Sequence, residues 1–122
     1  MKSLVFTILL ASCSAYGADV PLGASLYARC AGMSDVLGLP DNKVFIVLMK
    51  DVAIKAKNKY GNNSEQHVQV LVTSAMALGY GMGYMNSSAM EQDKDAARKS
   101  FMTFCWNNDD VARDRAIAIM MK

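Results

Sequence analysis

The chain of 122 residues is short of several things at once, and each shortage removes a class of function. It has one histidine, His67, so a catalytic relay through imidazole would have to use that residue, and no zinc-type ligand spacing occurs. It has no phosphate-binding glycine loop and no dinucleotide fingerprint. Its net charge is only +2, which gives no electrostatic footprint for nucleic acid. With two prolines, Pro21 and Pro40, long stretches are free to run as unbroken helix. Charge itself is missing over residues 66–90, where no Asp, Glu, Lys or Arg occurs.

What is present begins with the N-terminus, MKSLVFTILLASCSAYGADV. One lysine, an apolar run from Leu4 to Ala11 and then small residues form the layout of a secretory signal, and the run is too short to span a bilayer as a helix. Ala15-Tyr16-Gly17 offers a cleavage site that would make residues 1–17 a removed leader and 18–122 one mature domain. The alternative reading takes Leu10-Ala11-Ser12-Cys13 as a lipoprotein box, with Cys13 as the possible lipidation site and the outer membrane as the destination. Either way the expected compartment is the periplasm or the exterior, and loss of Lys2 lowers the net charge from +2 to +1.

Without Cys13, Cys30 and Cys105 remain, an even pair in a small exported domain, which reads as one structural disulfide. The two are too far apart in sequence for the Cys-x-x-Cys arrangement of redox-active pairs.

Apolar spacing predicts an all-α domain of four to five helices. Leu26, Cys30, Met33 and Leu37 line one helix face, ended by Gly38 and Pro40. A second helix, with Asp41 or Asn42 as N-cap, carries Phe45, Leu48, Met49, Val52, Ala56 and Tyr60; lysines 55, 57 and 59 suit its C-terminal end, and Gly61 stops it. Asn63 and Gln66 have the spacing of a capping box for a third helix, and Ser88 with Glu91 for a fourth. That fourth helix is expected to bury Met90, Ala97, Phe101, Phe104 and Cys105, and residues 111–121 to form a short last one.

The stretch MALGYGMGYM, residues 76–85, admits four readings. As a strand it alternates Gly79, Gly81 and Gly83 with Tyr80, Met82 and Tyr84, but it lacks strand partners. As a membrane helix it is uncharged but diluted by Ser, Thr, Asn and Gly. As a copper site it would use Met76, Met82, Met85 and Met90, although methionine is also an adaptable core filler. The preferred reading is a buried central helix whose close helix packing runs along Ala75, Gly79 and Gly83, against the helix of Cys30 or that of Cys105. On this reading Val68, Leu71, Val72, Ala75, Met76, Gly79, Met82 and Gly83 form its buried stripe.

Gly79-Tyr80-x-x-Gly83, with Cys30 before it and Phe104-Cys105 after it, resembles the Gly-Tyr-x-x-Gly and cysteine pattern of the small periplasmic amidase-immunity proteins of type VI secretion systems. The resemblance spans residues 26–105 in outline, with Ala77 where that family commonly has a cysteine. It implies a helical, non-enzymatic protein that binds and protects against or inhibits a protein partner. The general architecture also looks like that of small one-disulfide acid-stress chaperones. No catalytic residue, cofactor, metal or nucleic-acid partner is expected, and membrane association only through a lipid on Cys13. The exposed joints Asn62–Glu65 and Asn107–Asp110 are the candidate contact loops.

Overall fold

The computed structural model describes residues 21–107 and, beyond them, residues 114, 116, 117 and 119–121. The expected leader over 1–17, Cys13, residues 108–110 of the second candidate loop and residues 111–113, 115 and 118 of the last expected helix lie outside the described residues. The described part is a small all-α domain: α1 (Leu22–Leu37), α2 (Asp41–Tyr60), α3 (Glu65–Met85), α4 (Ser88–Gln92) and α5 (Lys94–Phe101), which runs into a π-helical turn (Met102–Trp106). Among the described residues there is no strand, and no helix is long and apolar enough to cross a membrane.

Local chemistry explains most of the boundaries. Gly38 takes a left-handed conformation (φ 66°), so its N–H reaches Asp35 O at 3.1 Å and the Leu39 N–H reaches Ser34 O at 3.0 Å, closing α1. Gly61 ends α2 with its N–H on Lys57 O at 2.9 Å, and Lys57 and Lys59 lie in the last turn as expected.

Three capping expectations are corrected. Neither Asp41 nor Asn42 caps α2, because both side chains are spent on tertiary bonds: Asp41 Oδ2 accepts from Trp106 Nε1 at 2.8 Å, and Asn42 Nδ2 donates to Ala31 O at 2.8 Å. Ser64, not Asn63, caps α3, its Oγ accepting the His67 N–H at 3.2 Å. Asn63 instead turns the chain at φ 62° and gives its N–H to His67 Nδ1 at 3.1 Å. Ser88 does start a helix, but without a side-chain cap, and α4 stops after five residues. The chain restarts at Asp93, whose Oδ1 accepts the Ala96 N–H at 3.0 Å, so one expected helix is two.

The hub is α1, which touches α2, α3, α5 and the π turn. The main core joins its Tyr27, Cys30, Ala31 and Met33 to Phe45 and Leu48 of α2, Met85 of α3, and Ala97, Phe101 and Cys105 from the C-terminal part. Phe45 meets Phe101 edge-on (centroids 5.9 Å apart) and Trp106 at 4.9 Å. The wide π turn brings Cys105 and Trp106 inward together, and Cys105 forms the expected disulfide with Cys30 across 75 positions, Cα to Cα 5.9 Å. In the chain-entropy view such a crosslink is worth about 4 kcal/mol.

The close helix contact exists, between α1 and α3, but through other residues than Ala75, Gly79 and Gly83. A Cβ added at Gly81 would overlap the carbonyl oxygen of Arg29 and lie 3.1 Å from Met33 N, and one added at Gly32 would overlap Leu78 O. The stripe of small residues is on α1, where Ala24, Ala28 and Gly32 recur every four positions, all buried. Against it α3 sets Gly81 and Ser74, whose Oγ donates to Ala24 O at 3.1 Å. Ala75, Gly79 and Gly83 are exposed, with open space beside both glycines.

A candidate docking face on the third helix

That reversal determines which side of α3 is free. Because Gly81 must face α1, the helix turns His67, Val70, Ser74 and Met85 inward. The same rotation carries Val68, Leu71, Val72, Ala75, Met76, Gly79, Tyr80 and Gly83 outward, spaced by three and four along the helix. Of the stripe expected to be buried, only Met82 is even half-buried. Met76 is 71% and Tyr80 58% exposed, whereas Met85 is 2% exposed. Met76 and Met85 therefore lie on opposite faces of α3.

The outward face is uncharged throughout, since residues 66–90 contain no Asp, Glu, Lys or Arg and His67 lies on the inner side. Its five large side chains expose roughly 500 Å² together, near the upper end of the largest apolar patch on an ordinary monomer. On one flank a shallow groove of about 270 Å³ continues it onto α2, between Met49 and Ala53 on one wall and Leu71, Ala75 and Leu78 on the other, with Lys50 at the rim.

On the other flank stands Arg29. It leaves α1 beside the Gly81 contact, and its guanidinium carbon lies 4.5 Å from the Tyr80 ring centroid and 4.1 Å from that of Phe104. Arg29 Nε is buried with no hydrogen-bond partner. Face, groove and stacked arginine form one continuous surface, apolar in the middle and basic at two edges.

The residues considered for chemistry are placed otherwise. His67 is nearly buried, its ring engaged by the Asn63 N–H at the entry to α3. Cys30 and Cys105 are joined to each other. The Asp93 carboxylate is a helix cap. Among the described residues no group of three or more His, Cys, Asp or Glu is arranged to hold a metal ion. A second cleft, of about 500 Å³, lies over the Asp41–Trp106 hydrogen bond and is walled by Pro40, Val44, Met102, Asn107 and Ile117. Asn62–Glu65 forms the tight exposed entry to α3, and Asn107 is exposed at the end of the π turn.

Sequence reasoning misses this face because apolar residues at helical spacing ordinarily mark the buried side. His67 and Ser74, on the opposite face, strengthen the misleading pattern, because polar residues ordinarily mark the wet side; here each is buried with a hydrogen-bond partner. The comparisons with known proteins add no relative: no family model, no curated protein and no solved structure matches the chain.

Proposed function

We propose that this is an exported, non-enzymatic helical protein that binds a protein partner and protects or inhibits it, in the manner of an immunity protein, and that the outward face of α3 makes the contact. The observation carrying the reading is that face, a row of large apolar side chains with no charge among them, on a rigid helix fixed by close packing to α1. Keeping such a face wet is unfavourable by about 25 cal/mol per Å², so a second macromolecule that covers it gains what the fold leaves unused. Its area is most of the about 800 Å² that each side contributes to a standard protein interface. Tyrosine and arginine at the edge are the residue types that anchor such interfaces.

Export is supported by the leader-like N-terminus and by the disulfide, which suits an oxidising compartment. The periplasm is the compartment that fits both, with an outer-membrane lipoprotein through Cys13 as the alternative, decided by the mass of the mature N-terminus. The non-enzymatic part rests on how the reactive groups are used: both domain cysteines are crosslinked, and the one imidazole is spent on the entry to α3.

The test is capture from the native periplasm by the parent protein and by the Val72→Glu/Met76→Glu variant. A single hydrolase or toxin retained by the parent and lost by the variant supports the inhibitor reading. Many unfolded proteins retained by the parent would support the chaperone reading, which uses the same face. Equal capture by both proteins overturns the assignment to α3.

A further inference from the structure

We propose that Arg29 is the receptor for a carboxylate side chain of the docking partner, an inference that rests on reading the outward face of α3 as the docking surface. The main chain at Arg29 is clamped, since its carbonyl oxygen lies against Gly81 with no room for a Cβ between. Its side chain is held too, with the guanidinium packed against the rings of both Tyr80 and Phe104. The rotamer freedom that an arginine ordinarily loses on binding is thus already lost on folding.

What the fork lacks is an acceptor. Nε is buried and unbonded, and among the described residues the ion pair formed is Lys55 with Asp51, away from Arg29. With Nε buried against the rings, the terminal N–H groups are what the planar guanidinium offers, paired donors that match the two oxygens of a carboxylate. Charge complementarity selects the same occupant. Arg29 stands on one flank of the neutral face and Lys50 on the other, and no acidic residue lines the groove. A purely apolar partner would cover the face and strand a buried, unsatisfied cation. An acidic side chain among apolar ones satisfies the cation and covers the face together.

Two capped peptides, acetyl-Leu-Glu-Leu-amide and acetyl-Leu-Gln-Leu-amide, test this when titrated into the isotope-labelled mature protein and followed at the Arg29 Nε–H and Tyr80 amide signals. The glutamate peptide is expected to bind at least about fivefold more tightly than the glutamine peptide. The preference should vanish in Arg29→Met and weaken in Arg29→Lys, which keeps the charge without the fork. Equal binding of the two peptides by the parent, or an undiminished glutamate preference in Arg29→Met, overturns the proposal. Met76→Asn separates it from the docking reading. If that variant loses both peptides while the parent does not distinguish them, the face stands and the Arg29 site falls. If it binds both as the parent does while Arg29→Met loses the preference, the carboxylate site stands and the face falls.

Discussion

Three glycines within five positions have opposite consequences. Gly81 lies against the α1 backbone, which cannot move aside as a flexible side chain could, so Gly81→Ala is expected to lower stability by about 2 kcal/mol through overpacking. Gly79 faces open space in helical conformation, so Gly79→Ala should raise stability by about 0.5–1 kcal/mol, from helix propensity and a less flexible unfolded chain. Urea unfolding of the two variants beside the parent checks both signs. The sequence favours the opposite assignment, because the four-residue step of Ala75, Gly79 and Gly83 reads as a packing stripe. A better four-residue stripe, Ala24, Ala28 and Gly32, lies on the partner helix, and a helix receiving such a stripe needs only one glycine at the crossing. Steric necessity at one carbonyl oxygen decides the matter, and no single-sequence pattern encodes where that oxygen lies.

At the scale of the element, helix ends marked by glycine were legible and those marked by side chains were not. Gly38 and Gly61 act through their own backbone conformation, which is a local property. Capping depends on whether a polar side chain is free to turn back, and Asp41 and Asn42 are drawn away to Trp106 and Ala31. The contrast between Asp93 and Ser88 is measurable. Asp93→Ala removes a formed cap and should cost about 1 kcal/mol, whereas Ser88→Ala removes none and should change the urea midpoint little. The burial of α3 was illegible for a related reason. Its apolar residues occupy most of the circumference, so periodicity shows a helix without showing which way it faces. The inner face is fixed by Gly81 against the Arg29 carbonyl oxygen, and His67 and Ser74 find their hydrogen-bond partners on that same side.

For the whole molecule, the fold class and the staple could be read from helical spacing and cysteine parity, since both are properties of the chain as a chain. Cys30→Ala with Cys105→Ala should cost about 4 kcal/mol, a large part of the about 5–15 kcal/mol that holds a domain together. Thermal melts of that double variant, or of the parent under reductant, should show a clearly lower midpoint. The outward face of α3 could not be read this way, because it is what remains after α1, α2 and the C-terminal part have taken the surfaces they need. With Met76 and Tyr80 as the most exposed side chains of that face, footprinting by hydroxyl radicals, with and without the captured partner, tests its role most directly. Oxidation of Met76 and Tyr80 should be strongly reduced in the complex, with that of Ile54 and Tyr60 on α2 much less affected. If Met76 and Tyr80 react in the complex as they do in the free protein while other residues become protected, the partner binds elsewhere and the outward face of α3 is not its site.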